Sequence, residues 1–151
     1  PYFAAAPDFA LTVETKGIPF ALMVARALGV QLVIARRDHK AFEGSVVTIN
    51  YISGSGGEMK TMSLAKRAVR PGQKALIVDD FTKDGGTVRG TVELMQEFDV
   101  TTVGVGVMVE RRREGAPRIY EDIRSLFIVS DAMDARQGAV VHPAPWLEVQ
   151  E

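Results

Sequence analysis

The chain has 151 residues, 18 Lys and Arg against 19 Asp and Glu, a formal net charge of −1 and no cysteine. That balance excludes a polybasic nucleic-acid binder for this segment. The missing cysteine excludes a disulfide framework, a Cys nucleophile and Cys-ligated zinc, and fits a reducing, cytoplasmic setting.

An apolar content of 46% supports a core for about one domain. No apolar run reaches the ~18 residues of a membrane span, and the N-terminus lacks a charged-then-apolar leader. The charge is uneven: residues 1–75 carry ten basic and five acidic side chains, residues 76–151 eight and fourteen.

In chain order, Ala10–Val13 reads as a short strand running into Glu14-Thr15-Lys16-Gly17. Gly17 marks a tight turn, and Pro19 fits the first turn of a helix. Phe20–Leu28 is apolar almost all round and predicts a buried helix capped by Gly29. Gln31–Ala35 lacks alternation and predicts a strand buried on both faces, followed by Arg36-Arg37-Asp38-His39-Lys40. Ser45–Ile52 and Met59–Ala65, joined through Ser53-Gly54-Ser55-Gly56-Gly57, predict an antiparallel hairpin polar enough to project from the core.

After the turn at Pro71-Gly72, Ala75–Val78 predicts a buried strand ending in Asp79-Asp80. A loop over Phe81–Gly86 leads into a helix from Thr87 to Phe98, with Val88, Val92 and Met95 at helical spacing. Thr101–Val109 predicts a strand and Glu110–Gly115 a charged loop. Tyr120–Leu126 reads as a short helix and Phe127–Ser130 as the last strand. Alternating β and α units imply a parallel sheet covered by helices.

Ligands of such sheets sit beyond the C-terminal strand ends. The most specific end is Asp79-Asp80-Phe81-Thr82-Lys83-Asp84-Gly85-Gly86-Thr87. A Gly-Gly-Thr turn entering a helix offers backbone N–H groups, a hydroxyl and the positive end of the helix dipole to a phosphate. The two carboxylates before it suit vicinal sugar hydroxyls, or a Mg²⁺ held with that sugar. The bland alternative is a tight turn with two solvated acids; the order of strand, acid pair and Gly-rich loop argues against it.

Residues 75–87 resemble the phosphoribosyl pyrophosphate (PRPP) signature of type I phosphoribosyltransferases. The resemblance implies that family's fold: a central parallel sheet flanked by helices, with a projecting β-hairpin arm. It implies that Asp79 and Asp80 hold the ribose hydroxyls, and that Phe81 to Thr87 form the 5′-phosphate loop. Thr15-Lys16-Gly17 is similar to the family's pyrophosphate loop, and Arg37 to a basic contact at the second strand end. The arm, with Tyr51, is similar to the flexible loop that closes over PRPP.

Val13–Pro19, Glu43-Gly44-Ser45 with Ile49-Asn50-Tyr51, Thr61–Arg67 and Asp79-Asp80-Phe81 with Lys83 resemble the purine operon repressors. These fuse an N-terminal winged helix to a phosphoribosyltransferase-type domain that binds PRPP as effector. The winged helix has no counterpart here, and the first residue is Pro1 rather than Met. The expectation is one effector domain over residues 1–151, cut from a longer DNA-binding, homodimeric protein.

Some purine transferases place an acid three positions after the acid pair; Lys83 stands there and cannot act as a carboxylate base. The resemblance thus implies a PRPP sensor with no catalytic residue and no obligatory cofactor, Mg²⁺ entering only with PRPP. Related phosphorylated nucleotides are alternative ligands. An active purine phosphoribosyltransferase of xanthine type and a ligand-free dimerisation module are the competing expectations. Asp84 departs from the usual small neutral residue and is expected to face outward. The Lys and Arg of segment 36–74, including Lys60, form a candidate anion funnel. Arg111-Arg112-Arg113 reads as a solvated loop, and Trp146 as a residue that packs on the domain.

Overall fold

A computed structural model describes residues 3–37, 44–53, 57–112, 120–130 and 139–147. The sequence expectations at Asp38–Lys40, Glu43, 54–56, Arg113 and Gly115 fall outside these residues.

The elements are β1 (Phe9–Val13), α1 (Ile18–Leu28), β2 (Gln31–Ala35), β3 (Val46–Ile52) and β4 (Met59–Ala65), then a 3-10 turn at Lys66–Ala68. They continue as β5 (Lys74–Thr82), α2 (Gly86–Gln96), β6 (Thr101–Arg112), β7 (Ile123–Ser130), β8 (Val140–Pro143) and a 3-10 turn at Pro145–Leu147. The main sheet has the order β2-β1-β5-β6-β7-β8. Its first five strands are parallel, and β8 closes the far edge antiparallel to β7. β3 and β4 form a separate hairpin, with Tyr51 opposite Lys60.

One side of the sheet packs Leu11, Ile77, Val105 and Val107 against Val88 and Met95 of α2. The other packs Ala10, Leu76 and Val78 against Ala21 and Ala25 of α1. Parallel strands buried by helices on both faces account for the unbroken apolar runs of β1 and β5.

The structure corrects several expectations. α1 is not wholly buried: only Ala21 and Ala25 are, while Leu22 and Met23 are 54% and 59% exposed. The helix covers one sheet face with Ala21 and Ala25, flanked by Phe20 and Val24, and turns Leu22, Met23 and Leu28 to solvent. β2 is an edge strand, so only Val33 and Ala35 are buried.

The hairpin forms its own two-stranded sheet as expected, with Ile52 and Met59 exposed at its tip, and packs on the core along its length. Tyr51, Met62 and Leu64 are buried in the cluster formed with α2. A Cβ on Gly90 of α2 would lie 2.7 Å from Tyr51 Cβ, so helix and hairpin touch where the helix has no side chain.

β5 does not stop at the acid pair but pairs with β6 as far as Thr82 and Glu110. β6 likewise runs through Arg112, so Glu110 to Arg112 are strand rather than loop. Glu110, 3% exposed, accepts hydrogen bonds from Arg112 Nη2 at 2.9 Å and Ser125 Oγ at 3.0 Å. The helix expected over Tyr120–Leu126 does not form: a turn at 121–122 leads into β7, which begins at Ile123. Ile123 and Ser125 there pair with Val105 and Val107, and sheet pairing overrides a weak local pattern. β8 was not legible at all. Trp146 packs on the domain as expected, its Nε1 donating to the Ser125 carbonyl at 2.7 Å.

Candidate functional site

The C-terminal ends of β1 and β5, the start of α2 and the inner side of the hairpin enclose a cavity of about 530 Å³. All fourteen residues singled out in the sequence line it: Thr15, Lys16, Gly17, Arg37, Tyr51 and the run Asp79 to Thr87. Val13, Ser53 and Lys60 line it too. Ser53 has no ligand-binding signal in the sequence. Lys60 belongs to the candidate anion funnel of segment 36–74, and the hairpin register sets it opposite Tyr51.

The loop after β1 is held from both sides. The Glu14 N–H donates to the Ala35 carbonyl at 3.0 Å, and Glu14 Oε1 accepts from the Arg37 N–H at 2.9 Å. The Glu14–Thr15 peptide is cis. Gly17 lies directly against the acid pair: a Cβ there would stand 2.6 Å from Thr12 Oγ1 and 2.9 Å from Asp79 Oδ1. Thr12 itself is 1% exposed, and its hydroxyl has no partner among the described residues.

Asp79 and Asp80 sit within the paired part of β5, which fixes their backbone. The Asp80 N–H donates to Asp79 Oδ1 at 2.9 Å. Burial, followed by the side-chain hydrogen bond and charge of Asp80, pushes the Asp79 carboxyl up to about 7, against the opposing pull of the Asp80 N–H and Arg37. Burial next to a second acid thus makes the Asp79 carboxyl hold its proton more tightly than an exposed aspartate does.

Beyond Thr82, Lys83 and Asp84 are half-buried, and Phe81, 47% exposed, stands at the rim. Asp84 is among the residues lining the cavity, and its backbone carbonyl accepts from Arg89 Nη2 at 2.8 Å. Gly85 adopts φ 72°, a left-handed turn that favours glycine, and delivers the chain into α2. The first N–H groups of α2 have no partner within the helix and face this end, with the Thr87 hydroxyl beside them. The arrangement offers anion-binding backbone at both ends, cations at Lys16, Arg37, Lys60 and Lys83, and carboxylates between.

Among the described residues no cluster of three His, Asp or Glu could hold a metal. The acid pair supplies carboxylate oxygens alone, so a Mg²⁺ fits here only if its other ligands come from a bound phosphorylated sugar and water.

Residues 2–141 match the model of the phosphoribosyl transferase domain. The chain belongs to this family. It is 48% identical over 124 residues to the purine biosynthesis transcriptional repressor PurR of Bacillus subtilis, covering 82% of this chain and 43% of that protein. It is 43% identical over 133 residues to the purine biosynthesis transcriptional activator PurR of Lactococcus lactis, covering 88% of this chain and 48% of that protein. The chain thus spans just under half the length of these regulators. The fold is that of adenine phosphoribosyltransferase from Giardia lamblia, solved with 9-deazaadenine: TM-score 0.72 at 23% identity, over 85% of this chain and 72% of that one. The phosphoribosyltransferase fold expected from the sequence is therefore the one adopted, and the resemblance to the purine regulators extends over most of the chain.

Proposed function

We propose that this domain is the PRPP-binding effector module of a transcriptional regulator of purine biosynthesis genes. One observation carries the reading: a single cavity unites the loop at 15–17 with the acid pair and Gly-Gly-Thr turn of residues 79–87, which lie far from that loop in sequence. PRPP has the matching order of groups. Its 5′-phosphate goes to the N–H groups and hydroxyl at Gly85–Thr87. Its ribose hydroxyls go to Asp79 and Asp80, and its pyrophosphate to the backbone of Thr15–Gly17 with Lys16 and Arg37. Where Mg²⁺ accompanies PRPP, it adds charge neutralisation between the acids and the pyrophosphate.

Lys83 favours sensing over transfer. An ammonium at this place attracts the anion but takes no proton from a purine base. PRPP would then regulate by binding one conformation of the protein better than another, which shifts DNA binding by a part of the protein outside this chain. The relatives include a repressor and an activator, so the sign of the response belongs to the rest of the regulator. A cytoplasmic homodimer is the matching setting.

Calorimetric titration with PRPP and Mg²⁺, followed by an assay of pyrophosphate release with each purine base, tests this reading. Saturable binding without turnover is the expected result. Turnover with any base overturns the sensor, and absence of binding overturns the ligand.

A further inference from the structure

The turn that enters α2 has an orientation that its own residues do not fix. Gly85 adopts φ 72° and is followed directly by Gly86. Glycine takes positive and negative φ about equally well. The peptide between Asp84 and Gly85 can therefore stand either way up at little steric cost, with its C=O and N–H exchanging places. Only one of those orientations presents the Gly85 N–H to a ligand.

Arg89, the fourth residue of α2, holds the turn from behind. Its backbone N–H donates to the Gly85 carbonyl at 2.8 Å, and its Nη2 donates to the Asp84 carbonyl at 2.8 Å. Both peptides are trans, so each C=O points opposite to its N–H. With the two carbonyls drawn toward Arg89, the N–H groups of Gly85 and Gly86 are turned away from it. Both glycines line the effector cavity, whereas Arg89 lines a neighbouring groove of about 400 Å³ with Tyr51, Gly90 and Glu93.

The backbone bond is one that any helix makes. The side-chain bond is particular to this residue. A cation in the first turns of a helix lies toward the positive end of the helix dipole, where it is disfavoured. Arg89 is exposed, so burial does not hold it there. What the position gains is a charge-assisted hydrogen bond to the one carbonyl whose direction the glycine leaves free.

We propose that Arg89 is a positioning residue for the phosphate turn: through the Asp84 carbonyl it presets the Gly85 N–H toward the phosphate of the ligand. Arg89 itself stays outside the cavity. The turn then needs no rearrangement when the phosphate arrives. The identity of that ligand as a phosphorylated sugar rests on the PRPP reading; the orientation of the turn does not.

The test compares the wild-type chain with Arg89→Met, which keeps an unbranched stem without a donor, and Arg89→Lys, which keeps a charged donor. Ribose 5-phosphate probes the turn and pyrophosphate the opposite end of the cavity, each by calorimetry. Arg89→Met is expected to weaken ribose 5-phosphate about tenfold, as loss of one charge-assisted hydrogen bond implies. Pyrophosphate affinity should stay within about twofold, and Arg89→Lys should recover most of the loss. The carbonyl ¹³C resonance of Asp84 should move in Arg89→Met without any ligand present. Equal weakening of both probes would reduce Arg89 to a general charge or a stabilising residue and overturn the proposal. So would an Asp84 resonance that does not move, or ribose 5-phosphate binding unchanged in Arg89→Met. A wild-type chain that binds neither probe nor PRPP overturns the effector reading as well, which separates the two failures.

Discussion

Gly17 approaches Asp79 so closely that a Cβ on it would stand 2.9 Å from Asp79 Oδ1 and 3.4 Å from Asp79 Cα. The pyrophosphate-type loop and the acid pair are therefore one packed unit. Gly17→Ala must displace one of them, and Thr12 Oγ1 at 2.6 Å leaves no alternative direction. The variant should lose about 1–3 kcal/mol of stability, the cost of overpacking a tight site. Its PRPP affinity should fall at least tenfold. Thermal melting and calorimetry check the two effects; wild-type affinity would separate the loop from the acids.

The Asp79 carboxyl, raised to about 7 from 3.8, gives the unliganded domain a specific pH response. Between those values the folded state keeps a proton that the unfolded chain has released. Stability therefore falls as pH rises across that window and levels off above about 7. Asp79→Asn keeps an oxygen to accept the Asp80 N–H but has no charge to bury. The melting temperature of the variant relative to wild type should climb from pH 5 to pH 8. A difference that does not vary with pH would assign the proton elsewhere.

Removing both acids should abolish ligand binding without loss of fold. Asp79 and Asp80 are held by β-pairing of their backbone, and neither side chain is part of the apolar core. Asp79→Ala with Asp80→Ala should melt cooperatively and bind no PRPP in the calorimeter. At the other end of the cavity, Thr87→Val should weaken binding by about 1.5–3 kcal/mol, the range for a hydrogen bond to a charged group. Retained affinity in either variant contradicts the placement of PRPP.

The hairpin is tied to α2 through Gly90, where a Cβ would lie 2.7 Å from Tyr51 Cβ, 2.9 Å from Tyr51 Cγ and 3.3 Å from Met62 Cε. Gly90→Ala is expected to push the hairpin off the helix. The gain in helix propensity, about 0.8–1 kcal/mol, is outweighed by a clash of about 1–3 kcal/mol. Because Tyr51, Ser53 and Lys60 reach the cavity from this hairpin, PRPP affinity should drop with stability. Amide exchange across β3 and β4 reports the loosening directly; unchanged exchange would show that the contact is absorbed elsewhere.

The sequence by itself determined the chemistry of the cavity floor. The acid pair and the Gly-Gly-Thr turn are short and contiguous, and residue type beside a strand end and a helix start points to a phosphorylated sugar, while the loop at 15–17 is legible only through its resemblance to the family's pyrophosphate loop. The parallel α/β class was legible for a similar reason, since unbroken apolar runs between helices record burial on both faces.

Only the tertiary structure decided the rest. β2 has the composition of a central strand, and its edge position depends on which neighbours the sheet order supplies. The hairpin looks polar strand by strand, yet Gly90 gives Tyr51 and Met62 a place in the core. Residues 123–126 became strand because Val105 and Val107 were there to pair with. The raised proton affinity of Asp79 arises from burial beside Asp80, at a place where folding brings Gly17 against its carboxylate. Burial and pairing belong to pairs of segments, so no single stretch of sequence contains them.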